Sequence, residues 1–199
     1  MALTRRMFAQ LVASALLLRH LPALAQTPLT VAVGGSPGPN ITQRVVSAGA
    51  PADMLLLAVA PEKLVGLSSF DLSRQTAIPF HDDIRALPKL GRLAGRASTL
   101  SLEALLALKP DLVIDCGNAD ETWLSQARQV SAQTHIPWLL INGELRHTPE
   151  QLRAAGEALG VVSRTAMQAA LARRFIDNAI AFSHTAAANL RCLLYTSPS

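Results

Sequence analysis

Short apolar runs alternate with longer amphipathic segments along this chain. The short runs have the length of buried strands and lie at 29–33, 45–47, 64–67, 111–115 and 137–141. The longer segments repeat apolar residues every three or four positions, as helices do, and begin near Pro51, Ser101, Ala119, Thr148 and Ser163. Strands that alternate with helices predict a parallel sheet with helices on both faces, a Rossmann-like α/β fold.

Residues at the helix ends support these boundaries. Ser101 offers a side-chain oxygen to the first amides of one helix, and Pro110 stops that helix. Gly160 ends another. Segment 54–59 is apolar on all sides, which predicts a buried helix, and Asp53 is favourably placed near its positive N-terminus.

The longest helical pattern covers 163–187. A helix of that length would run roughly 37 Å at 1.5 Å per residue. Its apolar residues recur at steps of four and three: Met167, Leu171, Phe175, Ala179 and Phe182. Such a length is unusual at the end of a small domain.

Composition excludes two classes of protein. Half of the 199 residues are apolar and 16% are charged, which is typical neither of disordered chains nor of nucleic-acid-binding ones. The formal charge is +4, but Arg5, Arg6 and Arg19 lie in the first 25 residues, which hold no acid, so the remainder carries only +1. A chain so near neutrality has no basic surface for phosphate backbones, and we expect no nucleic-acid partner.

The first 25 residues have the three regions of an export signal. Arg5 and Arg6 resemble the twin-arginine motif, the apolar run 11–18 is too short to span a bilayer, and 23–25 supply the small residues that a signal peptidase needs. We therefore expect cleavage after Ala25, export by the twin-arginine route and a periplasmic protein. The alternative is a short buried helix with two chance arginines.

Two stretches resemble one family of transport proteins. "LPKLG", a short gap and "LSLEALLALKPDLVI" within 87–116, and "RVVSAGAPADMLLLAVAPEKLVGLSS" at 44–69, resemble the N-terminal lobe of periplasmic substrate-binding proteins of ABC importers for iron–siderophore complexes, haem and cobalamin. The resemblance covers roughly 29–189. It implies capture of a metal chelate, a ferric siderophore first and haem or cobalamin next, and delivery to an ABC permease and its ATPase. It implies a monomer, no covalently bound cofactor and no catalysis.

The same resemblance divides the chain into four parts. It implies a signal peptide at 1–25, an N-terminal substrate-binding lobe at 26–160 and an interlobe backbone helix at 161–189, with the second lobe absent. Residues 190–199 resemble the read-through tail of truncated sequences; the alternative is a genuine short tail.

Ligands of parallel α/β sheets bind at the carboxyl ends of the strands. Arg92 and Arg96 are the best candidates there, because a guanidinium can fork onto carboxylate, catecholate or hydroxamate oxygens, although each is equally well an exposed solubilising arginine. Phe70, in the long polar loop 68–86, and Trp138 could stack on a planar ligand, although an isolated aromatic residue is more often part of the core. The full set of predicted ligand-binding residues is Ser47, Ala50, Pro51, Ser69, Phe70, Arg92, Arg96, Gly117 and Asn118.

Motifs for metals and enzymes are missing from the sequence. The histidines after residue 25 show no HExxH or other ligand spacing, so we expect no metal site, although His81 could ligate haem iron. Cys116 and Cys192 form no CxxC pair. The alternative function is an exported α/β enzyme with a site near Asp115 and Cys116, but no histidine is placed by sequence to activate either residue.

Glu103 occupies the "LE" position of "LSLEALLALKPDL". In the resembled family a glutamate there lies on the outer surface and docks with arginines of the permease, so the resemblance implies that role here. The alternative is an ordinary first-turn glutamate favoured by the helix dipole.

Overall fold

A four-stranded sheet lies at the centre of the described part of the chain. The structure is a computed structural model that describes residues 28–74, 80–93 and 98–186. The strands are β1 (Thr30–Val33), β2 (Val45–Ser47), β3 (Leu112–Gly117) and β4 (Trp138–Asn142), in the order β1-β4-β3-β2 across the sheet. Strands β2, β3 and β4 are parallel, whereas β1 runs antiparallel to β4.

Helices cover both faces of this sheet. They are α1 (Ala50–Val59), α2 (Asp82–Arg85), α3 (Leu102–Ala107), α4 (Glu121–Thr134), α5 (Thr148–Leu159) and α6 (Val162–Ala186), with 3₁₀ turns at Pro61–Lys63, Leu72–Arg74 and Leu145–His147. The predicted α/β class with helices on both faces is confirmed. The sheet is not wholly parallel, because the short strand β1 adds antiparallel at the edge, which is common in such sheets.

Each face of the sheet buries its own apolar core. Val45, Ile114 and Ile141 pack with residues of α1, α5 and α6, such as Leu56 and Leu159. The opposite face packs α3 and α4 against Val46, Val113, Trp138 and Leu140. Neighbouring residues of one strand thus point into different cores, as the two-residue period of a strand requires.

The segment 64–67 was predicted as a strand, and this is wrong. It makes one bridge to β2 at Leu64 and one bridge to Lys89 at Leu67. The two bridges point to different partners, with Gly66 between them, so no continuous ladder forms. A Cβ on Gly66 would lie 2.6 Å from the Leu90 side chain, which explains why a glycine stands between the two bridges.

Helix α1 is buried on one side only. Ala52, Asp53, Leu56 and Val59 are buried, but Met54 is 62% exposed. The prediction that this helix is buried all round is therefore wrong, because only its inner side contacts the sheet. Ser101 does cap α3 as predicted, since its Oγ accepts a hydrogen bond from the Ala104 amide at 3.2 Å.

Helix α6 packs along α5 through small residues. Thr165 and Ala169 are buried there, whereas the large side chains of the predicted apolar stripe, Met167, Leu171, Phe175 and Phe182, are 50–72% exposed. Every residue from 177 to 184 is exposed. Within the described ranges, none of the helices combines the length and the apolar character needed to cross a bilayer.

Candidate functional site

The carboxyl ends of the three parallel strands are staggered. Strand β2 ends at Ser47, beside Ile114, while β3 continues for three more residues to Gly117, which lies beside Asn142 of β4. Three residues of strand correspond to roughly 10 Å. The edge is therefore a step, low at β2 and high at β3 and β4, in the place where open α/β sheets bind ligands.

A buried carboxylate holds the low side of this step together. Asp53 of α1 is 0% exposed. Its Oδ1 accepts hydrogen bonds from the hydroxyl of Ser47 and from the amide of Ser68, the latter at 2.9 Å. Its Oδ2 accepts from the Ser68 hydroxyl and from the Ser69 amide, both at 2.9 Å. One side chain thus ties the end of β2 and the 68–69 turn to α1.

A second loop closes over the end of β2. The Leu93 amide donates to the Ala48 carbonyl at 3.0 Å. The Arg92 carbonyl accepts from the Thr99 and Leu100 amides at 2.9 and 3.2 Å, and the Thr99 hydroxyl accepts from the Arg92 amide at 3.0 Å. These bonds fix the backbone of Arg92 beside the strand end, and Arg92 itself is exposed.

Glycines form the high side of the step. Gly117 has φ +145°, in the region that favours glycine, and its carbonyl accepts a hydrogen bond from the Gly143 amide at 2.7 Å. A Cβ on Gly143 would lie 2.8 Å from the Cα of Gly117. The backbones at the ends of β3 and β4 therefore approach more closely than any side chain would allow.

The structure brings most of the predicted ligand-binding residues to this step. Ser47 and Ser69 meet at Asp53, and Ala50 lies half-buried at the start of α1. Phe70 is half-buried against the core beneath α1, α5 and α6, and Gly117 lies at the end of β3. The other members are exposed: Pro51, Arg92 and Asn118. Arg96 lies outside the described residues, as do the predicted signal peptide and tail.

Burial sets the protonation behaviour of Asp115 and Cys116, the residues of the alternative enzymatic site. Desolvation raises the pKa of Asp115 to about 6, and a hydrogen bond from the Cys116 amide offsets part of that rise. Burial, and then the neighbouring Asp115 carboxylate, raise the pKa of the Cys116 thiol to about 11. A thiol with so high a pKa is almost wholly protonated at neutral pH and is a poor nucleophile.

Two further candidates are Trp138 and His81. Trp138 is 1% exposed and belongs to the core beneath α3 and α4, so of its two readings the core role is confirmed and stacking on a ligand is excluded. His81 is exposed before α2. Among the described residues, no three His, Cys, Asp or Glu side chains are grouped so that they could hold a metal ion.

A surface cavity of about 710 Å³ opens beside the end of β4. It contains none of the predicted ligand-binding residues. Its walls include Glu144, which pairs with Arg146 at 2.6 Å and with His147 at 3.6 Å. Since the Glu144 carboxylate already pairs with the Arg146 guanidinium there, the step, and not this cavity, is taken as the candidate ligand-binding site.

Comparison with known proteins identifies the fold. No protein-family model matches the chain, and neither does any curated protein. Among solved structures, the chain is similar to an ABC transporter solute binding protein from Sulfurospirillum deleyianum, with 22% identity over 72% of this chain and 45% of that one, at a TM-score of 0.63. The chain shares its fold with about half of that solute-binding protein.

Two other solved structures support this assignment. A periplasmic heme binding protein from Pseudomonas aeruginosa matches with 22% identity and a TM-score of 0.51, covering 74% of this chain and 49% of that one. The TroA-like periplasmic binding protein FepB from Veillonella parvula matches with 18% identity and a TM-score of 0.52, covering 76% and 46%. The chain spans about half the length of the solved structures that it matches.

Glu103 lies in the first turn of α3, on the outside of this solute-binding fold. It is exposed, and its own backbone amide and then the Ser101 hydroxyl hold the pKa of its carboxyl below the usual value. Helix α3 follows the 98–100 segment, in which the Thr99 and Leu100 amides bond to the Arg92 carbonyl.

Sequence reasoning missed the central role of Asp53. It treated this residue only as a favourable charge at a helix start. The sequence did point to this role, because Asp53 is the one acid in the otherwise apolar 50–60 segment, and the helix that it begins was predicted to be buried. A buried acid needs donors, and the serines at 47, 68 and 69 were the nearest candidates at the strand ends.

Proposed function

We propose that this chain is the N-terminal lobe of a periplasmic binding protein that captures a metal chelate and hands it to an ABC permease and its ATPase. The observation that carries the proposal is the stepped carboxyl edge in a fold shared with solved solute-binding proteins. The chelate that we place first is a ferric siderophore, followed by haem and cobalamin.

The chemistry of the step suits an anionic, partly planar chelate. Arg92 is an exposed guanidinium at the edge, able to fork onto carboxylate, catecholate or hydroxamate oxygens. Phe70 offers an aromatic side chain on the low side, and the glycine backbone at Gly117 lets a bulky group approach closely. One such edge covers only one side of a ligand, so we propose that a second lobe supplies the other side.

The arrangement of the whole protein is part of the proposal. Residues 1–25 are a twin-arginine signal peptide cleaved after Ala25, residues 26–160 belong to the lobe, and residues 161–189 belong to the connection that leads to the second lobe. The exported protein acts as a monomer in the periplasm. The exposed apolar stripe of α6 supports the interlobe role, because a helix between two lobes needs apolar residues on more than one side.

The enzymatic alternative receives no support from the chemistry at β3. The raised pKa of Cys116 keeps its thiol protonated, and the sequence places no histidine to activate it. We therefore propose binding without catalysis.

A panel of four chelates tests this function. Haemin, cobalamin, a ferric tris-catecholate and a ferric tris-hydroxamate are titrated against the two-lobe protein and against this chain, with tryptophan fluorescence as the readout. We expect one chelate to bind the two-lobe protein, and this chain to bind it far more weakly, since one lobe leaves a face of the ligand in water. Arg92→Ala should weaken binding about tenfold or more, because a charge-assisted bond is lost.

The control is Arg128→Ala. Arg128 is an exposed arginine of α4 that lies away from the step. Its guanidinium forms an ion pair with Glu121 at 2.6 Å. Its loss should leave the affinity unchanged. Failure of all four chelates to bind the two-lobe protein would disprove the proposed function, and equal affinity in both proteins would disprove the two-lobe arrangement.

Glu103 is proposed as a contact to the permease. Its exposure in the first turn of α3 leaves the carboxylate accessible to a partner, which supports this role.

A further inference from the structure

All acceptor positions of the Asp53 carboxylate are occupied. A carboxylate offers about four lone-pair sites, and Asp53 receives four hydrogen bonds, two at each oxygen. Each oxygen accepts one of the two backbone amides, from Ser68 and from Ser69. Both oxygens are therefore needed, because an amide can only donate.

The same bonds orient the hydroxyl groups of the turn. Ser68 has one hydroxyl proton, and it is donated to Asp53. In the 3.2 Å contact between the Ser68 and Ser69 hydroxyls, Ser69 must then be the donor. The lone pairs of the half-buried Ser69 oxygen remain to accept a hydrogen bond from outside.

We propose that Asp53 is the positioning residue of the ligand-facing step: it fixes the 68–70 turn and the end of β2, and it presents the Ser69 oxygen as an acceptor for an N–H or O–H group of the bound chelate. This inference rests on the proposed binding function and adds the chemistry of one contact. Asp53 is fully buried, so it acts through Ser47, Ser68 and Ser69 and does not touch the ligand.

Asparagine cannot replace Asp53 in this role. The amide side chain has one acceptor oxygen, so its NH₂ group must face one of the two backbone amides, and two donors then meet in a buried place. Asp111 provides a matched control. It also accepts two backbone amides, from Gln43 at 2.8 Å and Arg44 at 2.9 Å, but both reach the single atom Oδ2. An asparagine at 111 can keep both bonds.

The test compares Asp53→Asn with Asp111→Asn in the full chain. Amide hydrogen exchange is measured residue by residue, together with the free energy of unfolding. We expect the Ser68 and Ser69 amides to exchange about tenfold faster or more in Asp53→Asn, with β3 amides changed only as far as global stability changes. In Asp111→Asn, the Ser68 and Ser69 amides should exchange as in the unaltered chain. Unchanged exchange at Ser68 and Ser69 in a folded Asp53→Asn would overturn the proposal.

Ser68→Ala covers the case in which Asp53→Asn does not fold. It keeps both backbone amides on Asp53 and removes only the hydroxyl between Ser69 and Asp53. The two-lobe protein is then titrated with the four chelates. We expect about tenfold weaker chelate binding for Ser68→Ala and for a folded Asp53→Asn. Gly156→Ala, a change between α5 and α6, is the control and should bind as the unaltered protein does.

The binding results separate the two proposals. If the unaltered protein binds a chelate, and Ser68→Ala and a folded Asp53→Asn bind it with the same affinity, the positioning role is wrong. If the unaltered protein binds none of the four, the proposed function is wrong, and the exchange of the Ser68 and Ser69 amides still decides whether Asp53 orders the turn.

Discussion

At the scale of single residues, Asp115 is a carboxyl group whose charge is costly. Burial raises its pKa from an ordinary 3.8 to about 6, which corresponds to about 3 kcal/mol at 1.36 kcal/mol per unit. Below pH 3.8 the group is neutral in both folded and unfolded chains and costs nothing. As the pH rises towards 6 the unfolded chain releases its proton first, so this residue's contribution to stability falls, and above pH 6 the loss is complete.

Asp115→Asn should therefore stabilise the chain at neutral pH. We expect the difference in unfolding free energy between the variant and the unaltered chain to grow from pH 4 to pH 6 and then stay level, as measured by urea denaturation at several pH values. The control is Gln129→Ala, on the exposed side of α4, whose difference should not depend on pH in this range. A difference that shrinks as the pH rises would contradict the raised pKa.

Residue roles followed from the sequence only where they were local. Ser101 and Gly160 act within a few residues of their own positions, and both were predicted correctly. Asp53 acts on Ser68 and Ser69, fifteen and sixteen residues away, through a turn whose path no periodicity specifies. Its role became visible only when the donors were found in space.

At the scale of elements, helices α5 and α6 touch at a glycine. A Cβ on Gly156 would lie 1.9 Å from Oγ1 of Thr165, which is 1% exposed. Alanine is the better helix former by about 1 kcal/mol. Overpacking at a buried contact costs about 1–3 kcal/mol, and a clash with a β-branched side chain should exceed the helical gain.

Gly156→Ala should thus lower the free energy of unfolding by about 1–2 kcal/mol, as measured by denaturation. Glu157→Ala, next to it on the exposed side, should change stability by less than about 0.5 kcal/mol. The double variant with Thr165→Ala should recover most of the loss. Stabilisation by Gly156→Ala alone would mean that the two helices are not held as closely as described.

The pattern of apolar residues predicted elements better than it predicted their partners. The helices near 121–134 and 148–159 were correct, because each shows the period of a one-sided helix. The segment 64–67 has the composition of a strand, yet its hydrogen bonds are divided between Val45 and the 88–90 segment. Periodicity reports which residues are apolar, not which neighbour accepts their amides.

At the scale of the whole molecule, the proposed docking role of Glu103 can be tested separately from chelate binding. Glu103→Arg reverses an exposed charge outside the ligand-facing step. If Glu103 meets permease arginines, reversal brings like charges together, and association with the permease should fail while chelate binding stays normal. Pull-down of the permease and uptake of a radiolabelled chelate measure the first effect, and the fluorescence titration measures the second.

Glu157→Arg is the control, an equal charge reversal at an exposed glutamate of α5. It should leave uptake unchanged. Normal uptake by Glu103→Arg would show that docking is wrong, and Glu103 would then be an ordinary first-turn glutamate favoured by the helix dipole.

The overall architecture was the most predictable level, and the step was the least. Strand and helix order follows from alternation, and it led to the α/β fold with helices on both faces. The stagger between Ser47 and Gly117 depends on where each strand stops pairing, which is set by the contacts of Leu93 and Gly143 across the chain. Ser47 and Gly117 lie at strand ends, as their positions in the sequence predicted, but the relative heights of these two ends were not predictable.

The close approach of Gly117 and Gly143 also limits how this edge can be redesigned. A library that varies the strand ends to change ligand preference would naturally include both positions. At position 143 any side chain would clash with the backbone of Gly117. At position 117 the positive backbone φ angle itself favours glycine. Diversity is better placed at Ser69, Phe70, Arg92 and Asn118, whose side chains can be exchanged while the two glycines keep the scaffold in register.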